Sequence, residues 1–489
     1  MVILHPKTMY QCDRKTMDEL GIKSLSLMEK AGKAIYQEML KTPLFNHANK
    51  RLIISGTGNN GGDGLVIAEH LINDGKDCTV VMMGKQNAVS AETKTVLNRL
   101  NISVNWNQLP ADLDAYDVII DALFGIGLDR HLDDQTLSMI QRVNASKLPV
   151  LSIDIPSGIS AETGMAMPDA FKATKTYIVQ YYKFGNLLNQ ANDYHGQRIL
   201  VDVGIVLSDI RPEAVLMNPS DYYQTMPARL SYSHKYHYGN LLIYACRVPM
   251  LGAPMLSAEA ALRCGTGLVR LLLDERDKQL IKPYDIVLQT VSANDQSIEG
   301  LERIDSIVFG PGVGRDSHHQ KVFDTLLNSD VPMVIDADGL YHLSKSIDGV
   351  KKDKVLILTP HQGEFERFFN LDKASMYQDL FNHLKRYDSH SMVWVLKGPT
   401  TMIYYQGECI FSNLAHPALA TAGTGDVLSG IIASFLARGY HPYKAAQYGV
   451  LVHSLAAQEA LQTINEESMI ASDLILSIPK IIDLLKENS

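Results

Sequence analysis

A glycine-rich segment in the first half of the chain carries a carboxylate at its end. Residues 56–61 read Gly-Thr-Gly-Asn-Asn-Gly, which matches G-x-G-x-x-G, and they lie between the apolar run RLIIS and the helical run LVIAEHL. Such a loop lets a pyrophosphate approach the backbone at a helix N-terminus. Asp63 follows within the same segment, however, and would repel a phosphate, while the strand CTVVMMGK lacks the ribose-binding acid expected about 20 residues after the glycines. The segment therefore indicates a ligand site other than an ordinary redox dinucleotide site.

Two more carboxylates in this half stand at the ends of predicted strands. Asp121 closes the run DVIID, and Asp154 closes the run VLSID. Ligands of open α/β sheets bind beyond the carboxyl ends of the strands, so we expect both acids to face the same crevice as Asp63. Each acid alone is equally well interpreted as the cap of the turn that follows it. The convergence of all three weakens that alternative.

A second candidate site lies near the C-terminus, where Ala422-Gly423-Thr424-Gly425-Asp426 leads into the apolar run VLSGIIASFLARG. Glycines at a helix N-terminus expose N–H groups and a positive dipole end to phosphate oxygens. A carboxylate in the first turn can then act on a hydroxyl presented to that phosphate. For an isolated Gly-Asp pair, an ordinary helix cap is the favoured alternative.

Four further turns follow apolar runs in the second half and carry glycine, acidic or basic residues. They are residues 310–314, 336–339, 359–364 and 397–401. A sugar-kinase-like fold organises its site from turns of this kind, which favours a ligand site over a simple cap at Asp426.

The two candidate sites lie in different halves of the chain, so each requires its own set of helices and strands to position it. A chain of 489 residues also exceeds the size that one hydrophobic core supports. Apolar runs alternate with helical runs from residue 51, with later strands predicted at 117–121, 149–154, 175–180 and 198–205. The segment Met217 to Tyr238 has no clear periodicity and is predicted to be a linker. The alternation then resumes with NLLIYA and continues to the end. The pattern predicts two α/β domains with parallel sheets.

The composition excludes several classes of protein. Acidic residues outnumber basic ones by 54 to 45, the net charge is -9 and no basic block occurs, so we expect no nucleic-acid partner. The five cysteines are odd in number and widely spaced, as expected for reduced thiols in a cytoplasmic protein. The N-terminal apolar run is too short for a signal peptide, and no apolar stretch approaches the roughly 18 residues of a membrane span, so no membrane association is expected.

Several separated motifs resemble one protein family. NNGGDG at 59–64, DALFGIG at 121–127, DIPSG at 154–158 and LMEKAG at 27–32 are similar to the NAD(P)H-hydrate epimerase domain. GAPMLSAEAALRCGTGLV at 252–269, with the turns of the second half, resembles the ribokinase-like NAD(P)H-hydrate dehydratase domain. The resemblance implies a bifunctional repair enzyme, both isomerase and lyase, with a Rossmann-like epimerase domain at 1–217 and a ribokinase-like dehydratase domain at 225–489.

The resemblance also implies an activity and a site in the first domain. The substrates are the hydrates of NADH and NADPH, called NADHX and NADPHX, whose R and S forms are interconverted. Asp154 is the implied acid/base residue, and a potassium ion is implied with side-chain ligands Asn60, Asp121 and Ser157. The implied substrate-binding residues are Asn59, Asn60, Gly61, Gly62, Asp63, Gly125, Ile126, Gly127, Leu128, Asp129, Arg130 and His131. For His131, an ordinary surface histidine is the favoured alternative.

In the second domain the resemblance implies dehydration of the S hydrate at the expense of a nucleotide. Asp426 is the implied base, and the implied substrate contacts are Ala253, Gly312 and His361. The nucleotide is implied to bind Lys397, Gly398, Pro399, Thr400, Thr401 and Gly425. ADP is favoured over ATP, and Mg²⁺ is expected to neutralise phosphate charge.

The chain departs from the family pattern at two places. Ala245-Cys246-Arg247 stands where Gly-Gly-Ser is usual, and Ala415-His416-Pro417 stands where Gly-Asn-Pro is usual. Two alternatives therefore stay open: an epimerase whose dehydratase domain is weakened or regulatory, and a ribokinase-like small-molecule kinase. The sequence leaves open whether ADP or ATP is used, whether NADHX or NADPHX is preferred, and whether the chain forms a homo-oligomer.

Overall fold

The computed structural model describes residues 1–128, 130–245, 250–274, 285–291, 298–371 and 380–486. The chain forms two compact units, Met1–Val215 and Leu216–Ser489. Asp129, Cys246 and Arg247, which the sequence analysis singled out, lie outside the described residues. No helix in the described part of the chain is both long and apolar enough to cross a membrane.

The first unit is built on a parallel sheet of seven strands with helices on both faces. The sheet order is β4-β3-β2-β5-β6-β7-β9, and β1 pairs separately with β8 and β10. The strands are β1 (Val2–Leu4), β2 (Lys50–Ser55), β3 (Asp77–Met82), β4 (Asn105–Trp106), β5 (Val118–Ala122), β6 (Val150–Ile153), β7 (Lys175–Val179), β8 (Tyr182–Lys183), β9 (Gln197–Val201) and β10 (Ala214–Leu216). The helices are α1 (Pro6–Leu20), α2 (Ser24–Leu40), α3 (Pro43–Asn46), α4 (Asn59–Asn73), α5 (Ala91–Arg99), α6 (Asp134–Ser146) and α7 (Ala191–Tyr194).

The central strands of this sheet are apolar throughout because both of their faces are covered. Ile53 and Ile120 point to the face packed by α2 and α4, whereas Leu52 and Ile119 point to the face packed by α6. All four side chains are fully buried. Burial on both faces fixes the register of β2 and β5, and with it the positions of the loops at their carboxyl ends.

The second unit has a mixed sheet of the order β13-β12-β11-β14-β15-β16-β17-β18-β19. The strands are β11 (Asn240–Tyr244), β12 (Leu268–Asp274), β13 (Val287–Val291), β14 (Ser306–Phe309), β15 (Met333–Ile335), β16 (Leu356–Leu358), β17 (Met392–Leu396), β18 (Thr401–Tyr405) and β19 (Glu408–Ser412). The helices are α8 (Gly252–Arg263), α9 (Ser317–Leu327), α10 (Asp338–Ser346), α11 (Gln362–Phe369), α12 (Leu380–Lys385), α13 (Thr424–Ala437), α14 (Pro442–Ala460) and α15 (Ala471–Leu485). Pairing is parallel from β13 to β17 and antiparallel between β17, β18 and β19.

The predicted α/β class is confirmed, while some predicted element boundaries differ. The strand expected at 198–205 ends at Val201, because Asp202 is exposed and Gly204 adopts φ 77. The turn predicted at 397–401 joins β17 to β18, which pair antiparallel instead of continuing the parallel order of β13 to β17.

Candidate active sites

The first unit contains a cavity of about 820 Å³ beyond the carboxyl ends of β2, β5 and β6. Loops at this edge of a parallel sheet commonly bind ligands. Eight of the residues predicted to bind substrate or act on it line the cavity: Asn59, Asn60, Asp63, Gly125, Ile126, Gly127, Leu128 and Asp154. The three glycine- or acid-bearing loops of the sequence analysis therefore meet in one place.

The glycines of the first loop allow the start of α4 to pack closely against the sheet. A Cβ on Gly61 would collide with the carbonyl oxygen of Gly56, and a Cβ on Gly64 would collide with Ala122. Gly62 packs in the same way against Met28 of α2. Gly61 and Gly62 are buried and do not line the cavity, so their contribution is to place Asn60 and Asp63 at its wall.

Asp154 is buried and has a left-handed backbone conformation at φ 66. Its Oδ1 accepts hydrogen bonds from Nζ of Lys183 at 2.5 Å and from the backbone N–H of Val179 at 3.0 Å. Lys183 is 1% exposed and also donates to the carbonyl oxygen of Val179 at 2.8 Å. The amide of Asn186 donates to the carbonyl oxygen of Asp154 at 2.9 Å and so holds the backbone in place. The result is a carboxylate fixed at the cavity wall by a buried ammonium group.

Two further carboxylates, Asp13 of α1 and Asp63 of α4, share this cavity. Burial raises the pKa of Asp13 to about 6; the Lys183 ammonium opposes this rise and the Asp154 charge adds to it. Burial, with the negative charges of Asp154 and Asp13, holds the pKa of Asp63 well above its usual range. The cavity therefore combines one ion-paired carboxylate with two acids that resist ionisation.

The predicted potassium ligands lie around the start of the 123–128 loop. Asp121 is fully buried, and its two oxygens accept hydrogen bonds from Ser157 Oγ at 2.6 Å, Ser157 N at 2.8 Å, Ser152 Oγ at 2.7 Å and Leu123 N at 3.2 Å. Burial raises the pKa of Asp121, and these hydrogen bonds oppose the rise. The side chain of Asn60 lies against Gly125 of the same loop, and its Nδ2 is buried without a hydrogen-bond partner among the described residues.

In the second unit, the predicted site residues follow the carboxyl ends of β14, β15, β16 and β17 and the start of α13. Lys397 donates from Nζ to Oδ1 of Asp336 at 2.7 Å, and Ser429 donates from Oγ to Oδ2 at 2.7 Å. A Cβ on Gly425 would lie 3.4 Å from Nζ of Lys397. Two predicted nucleotide-binding residues, Lys397 and Gly425, are thus neighbours.

Asp426 lies in the first turn of α13, beside the start of α8. Burial raises the pKa of Asp426 to about 6, with a further rise from the Asp336 charge and an opposing effect of Lys397. Ser257 of α8 donates to the carbonyl oxygens of Asp426 at 2.8 Å and of Ala253 at 3.3 Å. These bonds bring the predicted substrate contact Ala253 to the same end of α13 as the predicted base.

The other predicted substrate contacts in this unit are Gly312 and His361. Gly312 has φ 65, and a Cβ there would lie 2.6 Å from the carbonyl oxygen of Met250, just before α8. The backbone of His361 forms an isolated parallel β-bridge with that of Lys397. The Nδ1 atom of His361 accepts hydrogen bonds from Gly363 N at 3.0 Å and Glu364 N at 3.3 Å. His361 therefore also caps α11, and its side chain is 54% exposed.

Some predicted residues lie apart from these clusters. Arg130 and His131 are exposed and do not line the cavity. In the strand-connecting turn, Gly398 and Pro399 are exposed whereas Thr400 and Thr401 are buried. His416 accepts a hydrogen bond from Ala418 N at 3.2 Å and caps the short 3₁₀ turn Pro417–Leu419.

Three residues of these clusters were not predicted as site residues: Asp13, Lys183 and Asp336. Asp336 belongs to the predicted turn 336–339, and its position after an apolar run is a usable sequence signal. Asp13 and Lys183 come from segments without glycine-rich motifs that are distant in sequence from Asp154. Only the fold brings them together, so sequence spacing carried no signal.

Comparison with known proteins gives a consistent result along the whole chain. A bifunctional NAD(P)H-hydrate repair enzyme of Coxiella burnetii is 32% identical over 467 residues, which cover 93% of this chain and 94% of that protein. The chain belongs to the bifunctional NAD(P)H-hydrate repair enzyme family. A repair enzyme of Moorella thermoacetica is 29% identical over 517 residues and covers 100% of this chain. The family predicted from the motifs is confirmed.

The two halves of this repair enzyme match separate family models and structures. Residues 24–185 match the YjeF-related protein N-terminus, and residues 241–480 match NAD(P)H-hydrate dehydratase. An ADP/ATP-dependent NAD(P)H-hydrate dehydratase from Bacillus subtilis, co-crystallised with ATP and Mg²⁺, is 27% identical with a TM-score of 0.50 and covers 56% of this chain and 99% of that one. A ribokinase-like protein from Enterococcus faecalis, 23% identical with a TM-score of 0.51, covers 56% of this chain and 98% of its own, and shares the fold.

Proposed function

We propose that this protein restores NADHX and NADPHX to NADH and NADPH by two reactions at two separate acid sites. The observation that carries the proposal is that each unit places an acid at the sheet edge where ligands bind: Asp154 in the first and Asp426 in the second. Epimerisation of the R and S hydrates is assigned to residues 1–217, and dehydration of the S hydrate to residues 225–489.

In the first site, epimerisation at the hydrated carbon of the nicotinamide ring requires reversible proton movement. Asp154 can accept and return such a proton because its carboxylate lies at the cavity wall and is oriented by Lys183 and Val179. Within the segments 59–63 and 125–131, the residues that line the cavity are proposed to contact the substrate. Asp129 belongs to the second segment but lies outside the described residues.

A potassium ion fits the oxygen-rich group formed by Asn60, Asp121 and Ser157. No cluster of three or more His, Cys, Asp or Glu side chains suited to a metal occurs in the described ranges, so this group relies on amide, hydroxyl and carboxylate oxygens. Such hard ligands suit an alkali cation better than a transition metal. The buried charge of Asp121 has no lysine or arginine partner among the described ion pairs, which also favours a cation here. When bound, the ion would supply positive charge next to the substrate.

In the second site, the proposed chemistry is phosphorylation followed by elimination. Asp426 takes the proton of the ring hydroxyl, the hydroxyl oxygen attacks the terminal phosphorus of the nucleotide, and the shortened nucleotide leaves. Phosphate is then expelled as the C–O bond breaks, and loss of a ring proton restores the double bond. The 397–401 turn and Gly425 are proposed to bind the nucleotide, and Ala253, Gly312 and His361 the hydrate.

ADP is the proposed phosphoryl donor, with Mg²⁺ neutralising phosphate charge and ATP as the alternative donor. The proposed partners are small molecules, the NAD(P)H hydrates. The four described cysteines, Cys12, Cys78, Cys264 and Cys409, form no disulfide. Free thiols suit a reducing compartment, so we place the reaction in the cytoplasm.

One observation favours a second candidate function, an epimerase with a weakened dehydratase domain. His416 fills the place of a residue that is usually Asn, and its ring is engaged in capping the 417–419 turn and lies 3.8 Å from Glu466. Calorimetric titration with ADP and with ATP separates the two functions. Absence of binding at millimolar nucleotide would support the weakened domain.

The proposed function is tested with an epimeric mixture of NADPHX, incubated with the full chain in the presence and absence of ADP or ATP. Recovery of NADPH absorbance follows dehydration, and chromatography of the remaining hydrates follows epimerisation. We expect complete recovery with a nucleotide and epimerisation alone without one. Failure of the R hydrate to convert would contradict the epimerase half, and failure to recover NADPH would contradict the dehydratase half.

A further inference from the structure

Asp13 is an acid in the wall of the first cavity that the proposed mechanism does not yet use. It lies on α1, and its neighbours along this face, Met9 and Met17, line the same cavity. Oδ1 of Asp13 is buried and has no hydrogen-bond partner among the described residues. Leaving a buried carboxyl oxygen unpaired costs free energy, so an unpaired oxygen in a ligand cavity points to a partner that arrives with the ligand.

The charged groups that face Asp13 come from three other elements. Lys183 of β8 attracts its ionised form, whereas Asp154 beyond β6 and Asp63 of α4 repel it. On α1 itself, the exposed cations Lys7 and Arg14 line the same cavity, and Cys12 is a sequence neighbour of Asp13. The ammonium group of Lys183 already donates hydrogen bonds to Asp154 and to the carbonyl oxygen of Val179. A negative charge on Asp13 is therefore less well compensated than one on Asp154.

We propose that Asp13 is the second acid/base residue of epimerisation. It exchanges a proton with the hydroxyl of the hydrated ring, while Asp154 exchanges a proton with the incoming or departing water. This inference rests on the proposed epimerase function and extends it by one residue. It assigns the two carboxyl groups complementary states, one protonated and one ionised, in a single cavity.

The step balances without any oxidant or reductant. Protonated Asp13 donates its proton to the ring hydroxyl, the C–O bond breaks, and water departs while the lone pair of the ring nitrogen forms a C=N bond. Water then adds to the opposite face, the C=N electrons return to nitrogen, and the Asp154 carboxylate takes the surplus proton. The product is the other epimer, and exchange with solvent water then returns a proton to Asp13 and removes the one on Asp154. The reverse reaction exchanges the two roles.

The electrostatics of the cavity agree with this assignment. Because burial raises the pKa of Asp13 to about 6, a useful fraction of this residue carries a proton near neutral pH. Asp154 forms a buried ion pair with Lys183. The rate of epimerisation should therefore decline as the pH rises above about 6, since the proton on Asp13 is then lost.

The test compares Asp13→Asn and Asp13→Glu with Asp18→Asn, the same exchange at an exposed residue of the same helix that does not line the cavity. The full chain is given the separated R hydrate without nucleotide, and R-to-S conversion is timed by chromatography over a range of pH. We expect Asp13→Asn to lower kcat by about 100-fold or more with little change in KM, and to abolish the decline above about pH 6. Asp13→Glu should recover part of the rate, and Asp18→Asn should match the parent.

Thermal unfolding separates this role from a structural one. A carboxyl group whose folded pKa is raised destabilises the fold once it is ionised, so replacing Asp13 by a neutral amide should leave the midpoint at alkaline pH equal to or above the parent's. Epimerisation at the parent's rate in Asp13→Asn, or a rate loss matched by a fall in the midpoint, would overturn the inference. If the parent itself does not epimerise the hydrate, the proposed function fails before Asp13 is tested.

Discussion

Asp154 combines two unfavourable features that its neighbours compensate. Its φ of 66 lies in the left-handed region, which costs a residue other than glycine about 1–3 kcal/mol. Its carboxylate is buried and requires a counter-charge, which Lys183 provides. Such a combination is maintained only where the surroundings determine it fully, as the hydrogen bonds from Asn186 and Val179 do here. A strained backbone conformation together with a buried charge is typical of functional sites.

Removal of Lys183, the buried counter-charge of Asp154, should lower the free energy of unfolding. Lys183→Met leaves the Asp154 carboxylate buried without its cation, and breaking a buried ion pair from one side costs about 3–5 kcal/mol. Denaturant unfolding measures this loss. Lys15→Met, which removes an exposed pair with Asp209, is the control and should cost well under about 1 kcal/mol.

Asp426 should act as a base in dehydration, and this sets the sign of the pH dependence. Because the pKa of Asp426 is raised to about 6, the reactive carboxylate is lost as the pH falls below that value, and dehydration should decline there. Asp426→Asn should lower the rate of NADPH recovery from the S hydrate by about 100-fold or more at all pH values. Asp483→Asn, an exposed exchange, is the control. An unchanged rate in Asp426→Asn would remove this residue from the mechanism.

The residues that were predictable are those at the ends of strongly apolar strands. Asp121 lies near the end of β5, Asp154 directly follows β6 and Asp426 lies in the first turn of α13, and the periodicity of these elements is clear in the sequence. Of the three, Asp154 lines the cavity of the first unit. Asp13 and Lys183 belong to elements whose own pattern says nothing of the cavity. Their participation depends on how α1 and β8 pack against the sheet, which a single sequence does not reveal.

At the scale of elements, the close crossing of α8 and α13 positions the second site. A Cβ on Gly430 of α13 would collide with the carbonyl oxygen of Ser257, whose hydroxyl bonds to the Asp426 carbonyl. Only glycine allows this approach, because the obstructing atom belongs to the backbone. The crossing therefore links the end of α13 that carries Asp426 to the end of α8 that carries Ala253.

Gly430→Ala should separate these helices and impair dehydration. Overpacking of a close contact costs about 1–3 kcal/mol, and we expect a loss of that size in the unfolding of the second unit. Gly349→Ala, at a glycine with open space around its Cβ position, is the matched control and should be neutral. Thermal unfolding and nucleotide-dependent NADPH recovery are measured together. Normal stability and activity in Gly430→Ala would show that the crossing does not limit the site.

The strand and helix pattern was predictable because the central strands of both sheets are buried on two faces and are continuous apolar runs. The ends of elements were less predictable. The direction of a strand was also less predictable: Gly398 and Pro399 indicate the turn at 397–401, but only the pairing of Leu396 with Met402 shows that β18 is antiparallel to β17.

At the scale of the whole molecule, the two units have separate hydrophobic cores. Ile53, Leu65 and Ile120 belong to the core of the first unit, and Val308, Ile357 and Ile431 to that of the second. A domain with its own core is expected to fold alone. Residues 1–217 and 225–489, produced separately, should therefore epimerise and dehydrate, respectively, at rates within about threefold of the full chain. Insolubility or inactivity of one fragment beside a normal full chain would contradict this independence.

The most direct measurement of the central claim, two reactions at two acid sites, is the time course of NADPH recovery from a mixed R and S hydrate by Asp154→Asn in the presence of nucleotide. Asparagine tolerates a left-handed backbone and keeps the shape of the side chain, so the fold should survive. The parent should recover the whole mixture in one fast phase. The variant should recover the S fraction at the parent's rate and the R fraction only as fast as it epimerises spontaneously. Fast recovery of both fractions, or slow recovery of both, would contradict the account.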